Sequence, residues 1–426
     1  MQLLPAVTRV RRRRLAFTST LAVLAALAVP ALAAATPPPA VLTLKTVTVG
    51  APGNPAVAIQ PFTDALYRSC EEVPASEKEC LMVGRVKYGY GIGQLEVTVD
   101  QWVDFLNTVD PSGRDPHHLY AESESSSAWP KYGQIDFSSA LGRGRHYMVA
   151  SPEWADKPYG FANFLRVARF TNSLYNGKVV SKQASSAGAF NYVTYRVRLS
   201  RQTETGMYKM AGNRLEGATR GQKSGFVVPS QNEWIKAAYY EPNGGGTYSY
   251  WKYPTNAGVF GQGQADGPKT TTLNPKNGEV TNATTQPLAT FRAEGAAVPS
   301  WCPATFSAEA CSTKNPFGMP AMAYGKAFQG SLSTVGQALT TSPWGTLDQG
   351  GNAVEWTDTI APAPTGKSNG KVWRRLHGGI ANSTAYQLWI SAVGLQPQDN
   401  SFGTATYPWL GFRVGVIGNV KPTKKH

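Results

Sequence analysis

The densest chemistry in this chain lies in WGTLDQGGNAVEW, residues 344–356. Asp348 opens a glycine-rich turn, Gly351 and Ala353 are small residues with accessible carbonyls, and Glu355 closes it. Hard cations such as calcium take about six to eight oxygens from carboxylates and main-chain carbonyls, which a short turn can supply together. Gly351, Ala353 and Glu355 fall on alternate residues and can present their oxygens to one side. The competing reading is structural: Asp348 caps the turn and Glu355 accepts hydrogen bonds from buried main chain.

A second stretch, WRRLHGGIANSTAYQLW (373–389), has paired glycines suited to positive φ or close approach, yet no carboxylate or cysteine. Ser383 has no histidine or lysine at a suggestive spacing, and the chain holds no GxSxG, so nucleophilic catalysis lacks a signature. His117 and His118 are adjacent and His426 is terminal. His146 and His377 with a carboxylate could in principle form a two-histidine iron site. Glu122, Glu124 and Asp136 could supply paired carboxylates for glycoside chemistry, but nothing in the sequence brings them together.

Three helices stand ready to position these segments. VTVDQWVDFLNTV (97–109) has Thr98 as N-cap, Gln101 completing a capping box, and Val99, Trp102, Val103 and Leu106 on one stripe. GFANFLRVARFTNSLYNG (160–177) carries Phe164, Val167, Ala168 and Leu174 at helical spacing and stops at Asn176-Gly177. PSQNEWIKAAYYEP (229–242) pairs Ser230 with Glu233 and buries Trp234, Ala237 and Ala238. YVTYRVRL (192–199) and LGFRVGV (410–416) alternate as strands, the latter placing Phe412, Val414 and Val416 on one face. Trp102, Trp234 and Trp356 read as core. Without a repeat or a second composition regime, the pattern is one large loop-rich α+β domain.

The first 35 residues read as an export signal: Arg9 and Arg11 to Arg14 form a basic head, followed by an apolar middle and a small-residue exit at Ala33 or Ala35. Arg12, Arg13, Arg14 and Leu15 loosely resemble a twin-arginine signal. No stable membrane anchor is expected after cleavage. Residues 36–45 read as a Pro-rich linker, 46–420 as the domain and 421–426 as a basic tail. Cleavage would lower the formal charge from +14 to +9, since five arginines leave with no acid. Basic residues between Arg196 and Lys223 are interrupted by Glu204 and Glu216 and lack interleaved aromatics, so nucleic acid is not an expected partner. Four cysteines fall as two local pairs, Cys70 with Cys80 and Cys302 with Cys311, which in an exported chain suggests two short-loop disulfides. The two other connectivities stay open.

Six motifs in order resemble the formylglycine-generating enzyme, or sulfatase-modifying factor, family across nearly the whole mature chain. They are LEVTVDQWVDFLN, PYGFANFLRVARFTNSL, FVVPSQNEWIKAAY, WGTLDQGGNAVEW, RLHGGIA and LGFR. The resemblance implies an elaborated C-type-lectin-like fold. It also implies a calcium site using a side-chain oxygen of Asp348, the carbonyls of Gly351 and Ala353, and the carboxylate of Glu355. Family enzymes oxidise a substrate cysteine to a formyl group with Cu(I) held by two cysteines. Counted from Gly378 and Gly379, those positions are Ser383 and Leu388, neither of which suits Cu(I). The usual serine after the glycines is Ile380, and the usual tryptophan before Glu355 is Val354.

The expectation is therefore an exported, non-catalytic, calcium-stabilised domain without copper. Residues 380–407, rich in Asn, Ser, Thr, Gln, Tyr and Trp, would bind a polar ligand such as a glycan or peptide. The alternative is an oxidoreductase, either formylglycine-generating or a cysteine-independent metal oxidase.

Overall fold

A computed structural model describes residues 36–422 apart from 60–79, 129–132, 213, 218, 244–248, 256–266, 275–276, 284–286, 292–331, 364–369, 382, 384 and 400–408. The expected export signal, the tail residues 423–426, and Cys70, Cys302 and Cys311 lie outside the described residues. Cys80 is not a free thiol.

The three helices form where their caps and stripes put them. Helix α1 (Val99–Val109) starts at Thr98, whose hydroxyl accepts from Gln101 N while Gln101 Oε1 accepts from Thr98 N, a reciprocal pair that satisfies two otherwise orphaned donors. It buries Val99, Trp102, Val103, Phe105 and Leu106. Helix α2 (Phe164–Tyr175) is capped by Asn163. It is buried on nearly every side, well beyond the single stripe its sequence suggests. Its polar residues survive there because they are paired: Asn172 gives both amide hydrogens to Thr203 O and Tyr208 O and accepts from Tyr208 N. Helix α3 (Gln231–Tyr239) repeats the capping box with Ser230 and Glu233, and ends before Glu241.

Strands are numbered along the chain. The main sheet runs β7 (Lys178–Ala187), β8 (Phe190–Arg198), β1 (Val41–Val49), β4 (Tyr90–Gly93), β16 (Gly415–Ile417), β9 (Gly225–Val227), all antiparallel. A second sheet runs β14 (Gly394–Pro397), β13 (Trp373–His377), β12 (Val354–Ala361), β15 (Leu410–Gly411), with β12 and β15 parallel. Short pairs are β2 (Val57–Ile59) with β3 (Leu81–Val83), β5 (Ile135–Phe137) with β6 (Tyr147–Val149), and β10 (Lys269–Thr270) with β11 (Leu288–Ala289). Among the described residues the architecture is α+β, mostly sheet with three α-helices, and those from Thr36 onward form one compact unit. No helix among the described residues is long and apolar enough to cross a membrane.

Two expectations are corrected here. Residues 41–45 are not linker: β1 begins at Val41 and pairs on both sides, because its alternating Leu42 and Leu44 outweigh the prolines before it. Nor is LGFRVGV one strand. Its first two residues pair with β12 in the second sheet, its last residues pair in the main sheet, and the chain between them crosses the core. Phe412, Val414 and Val416 are buried as expected, but so is Arg413. Phe412 meets Trp102 and Phe170 edge-on, and Trp102 stacks on Tyr159 with ring centres 4.2 Å apart.

Candidate functional site

The acidic turn is shaped by three left-handed residues, Asp348, Gly351 and Asn352. Gly351 is obligatory: a Cβ there would stand 2.0 Å from Thr290 O. Asn352 is fully buried, accepts from Ser333 N at 3.0 Å and donates to Glu96 Oε2 at 2.9 Å. Ala353 N donates to the other Glu96 oxygen at 3.1 Å. Glu96 therefore grips the turn from the segment that leads into α1.

Glu355 is engaged from the opposite side. Arg413 donates Nε to Oε2 at 2.7 Å and Nη2 to Oε1 at 2.6 Å, and Trp234 Nε1 donates to Oε2 at 2.8 Å. The remaining guanidinium hydrogens go to the carbonyls of Gly93, Gln94 and Leu347, so the fork is fully used. Burial works against the Arg413 charge, but Glu355 more than offsets it and holds the guanidinium above its ordinary range. Glu96 is pushed well up by burial and by the charges of Asp348 and Glu355. Asp348, raised chiefly by burial, sits at about 6.

Asp348 accepts from Gly336 N, and Glu355 faces a guanidinium where a cation would have to sit. Among the described residues no group of three His, Cys, Asp or Glu side chains is arranged to hold a metal. The set Asp348, Gly351, Ala353 and Glu355 thus does not fit a calcium ion bound through Glu355. The structural reading comes closer, with the difference that Glu355 accepts from Arg413 and Trp234 rather than from main chain.

The glycine pair docks on this turn. Gly351 N donates to Gly378 O at 2.7 Å, Ala381 N donates to Asn352 O at 2.9 Å, and Glu355 lies opposite His377 in the β12–β13 register. Beyond the glycines, Ser383 is buried and its hydroxyl accepts from Ile380 N at 2.8 Å, a local turn bond. Leu388 is sealed in an apolar cluster with Tyr253, Ala289, Phe291 and Ala385. The loop expected to present polar side chains mostly faces inward: Ser391, Gln396 and Gln398 are buried alongside Ile390 and Val393. Gln387, Trp389 and Asp399 are only half-buried, and residues 382, 384 and 400–407 lie outside the described residues.

The other candidates are structural. His377 stacks on Trp234 and is pushed down to about 3 by burial and by the Arg375 charge, so it is neutral. His146 bonds to Ser138 O in a different part of the fold, and the structure does not join the two histidines in a metal site. Glu124 is buried against Arg166, with Tyr159 donating to it at 3.0 Å, and burial raises it to about 7. Asp136 accepts from Ser126 N and Oγ, each at 2.8 Å, while Glu122 stays exposed. The charges of Glu124, Asp136 and Glu122 all act on the Tyr120 hydroxyl, so the fold does bring these acids into one neighbourhood.

Arg220, inside the basic stretch, is no solvated charge: it bridges Glu233 at 2.9 Å and Asp358 at 2.7 Å. Sequence reasoning missed Glu96 and the role of Arg413. The available signal was the same in both: a single charge between apolar neighbours, Leu95-Glu96-Val97 and Phe412-Arg413-Val414.

The class defined is an α+β domain centred on a buried carboxylate–guanidinium network. No family model matches the chain, and no curated protein matches it. Among the solved structures that resemble it loosely, three align at a TM-score of 0.38 each. Treponema denticola variable protein 1 is 14% identical, with 89% of this chain and 100% of that chain covered. CarF is 13% identical, covering 89% and 99%. PvdO from Pseudomonas aeruginosa is 11% identical, covering 90% and 100%.

Proposed function

We propose that this chain is an exported, non-catalytic binding domain of the sulfatase-modifying-factor type, built on a C-type-lectin-like frame, that holds a polar ligand such as a glycan or peptide. Its disulfides are Cys70–Cys80 and Cys302–Cys311, and its carboxylate centre is neutralised by Arg413 instead of calcium. One observation carries the reading. The two positions where the family holds Cu(I) are a turn serine and a leucine packed in an apolar cluster, neither of them a soft donor.

The test is to purify the mature protein, supply Cu(I) and a cysteine-containing peptide, and follow oxygen consumption, alongside glycan and peptide arrays. No turnover with a saturable array signal is expected. Turnover with copper would overturn the reading in favour of an oxidase.

A further inference from the structure

A cleft of about 600 Å³ opens beside the end of α3, away from the Glu355 centre. That size lies within the range of roughly 300–1,000 Å³ common to small-ligand sites. Three rings line it: Phe190 at the β7–β8 turn, Trp251, and Trp344 at the head of the acidic-turn motif. The β7–β8 turn is held in place by Gly345, whose lack of a side chain lets the Phe190 ring press on the backbone; a Cβ there would lie 2.7 Å from the ring.

Two polar side-chain atoms of the lining residues lack hydrogen-bond partners. Thr255 is 4% exposed, yet its hydroxyl has no hydrogen-bond partner, and the buried Nε1 of Trp344 has none either. Buried polar groups are nearly always paired, so two orphans lining one cleft point to a ligand that completes them. Glu241 holds Trp251 Nε1 at 2.7 Å through one oxygen. It is the sole ionisable group among the described lining residues.

We infer that this cleft binds a short neutral oligosaccharide, which rests on the binding-domain reading above and gives it a place and a ligand class. An indole N–H only donates, a carboxylate only accepts, and the Thr255 hydroxyl does both. Sugar hydroxyls match all three, because each gives one hydrogen bond and takes others. The aromatic rings suit the C–H faces of a pyranose, giving apolar contact beside polar edges. Anionic sugars are disfavoured by Glu241, which no lining cation offsets.

The experiment titrates the mature chain with neutral oligomers of glucose and of N-acetylglucosamine, followed by tryptophan fluorescence, with a peptide array and anionic glycans in parallel. Glu241→Gln is isosteric, Trp344→Phe keeps an aromatic ring but removes the indole N–H, and circular dichroism checks that each folds. Each should weaken neutral-glycan binding about tenfold, the scale of one lost hydrogen bond to a charged or buried group. Gln387→Ala, in the C-terminal loop, should leave it unchanged. Neutral-glycan binding that both cleft variants leave intact would overturn this assignment. Binding of peptides or anionic glycans alone would also overturn it while leaving the binding-domain reading standing. Silence on every array would remove both.

Discussion

Arg413 and Glu355 form a two-pronged ion pair, at 2.6 and 2.7 Å, between a residue that crosses from one sheet to the other and a residue at the start of β12. Both side chains are essentially excluded from solvent. Their bond joins the second sheet to the chain entering the main sheet, and Trp234 fastens α3 to the same carboxylate. Removing either partner leaves an uncompensated buried charge. Glu355→Gln and Arg413→Met should each cost about 3–5 kcal/mol in urea unfolding. The double variant should cost clearly less than the two summed, and additivity would disprove the coupling.

Because Arg413 supplies the positive charge at this centre, melting curves in calcium and in chelator should superimpose. A ligand that binds only the folded state raises the melting temperature with its concentration. A calcium-dependent rise abolished by Asp348→Ala would show that the ion, and not Arg413 alone, balances these carboxylates.

His377 sets a pH dependence. Its folded pKa, about 3, lies below the ordinary 6.5, so between those values the unfolded chain takes up a proton that the folded chain refuses. Its contribution is fully present above 6.5 and is lost as pH falls, by up to about 1.4 kcal/mol per pH unit. His377→Phe keeps the stack on Trp234 and removes the titration. The stability of the variant relative to the native chain should therefore rise steadily from pH 7 to pH 4, and a flat difference would refute the burial argument.

Gly351→Ala should unfold the turn. It combines a left-handed backbone with a Cβ driven into Thr290 O, and a loss of at least ~2 kcal/mol is expected in thermal or urea unfolding. Gly188→Ala, also left-handed but with open space around it, should cost no more than about 1 kcal/mol.

Local chemistry made much of this protein legible. The capping boxes of Thr98 with Gln101 and Ser230 with Glu233 are bonds within four residues, so they can be read along the chain and occur as read. The buried tryptophans follow from size and hydrophobicity alone. Asp348 and Glu355 were also visible as a concentration of oxygen donors, but their partners were not. Arg413 is 58 residues from Glu355, and Glu96 is 256 from Asn352.

By itself, then, the sequence determined the helices, their ends, the apolar faces and the glycine turn. Only the tertiary structure decided what the charges do, because an ion pair is made by proximity and desolvation, and neither is set by neighbours in sequence. It divided LGFRVGV between two sheets, set Glu355 against Arg413, and buried Ser391, Gln396 and Gln398 of the C-terminal loop. The same long-range packing left the Thr255 hydroxyl and Trp344 Nε1 without partners among the residues that line the cleft.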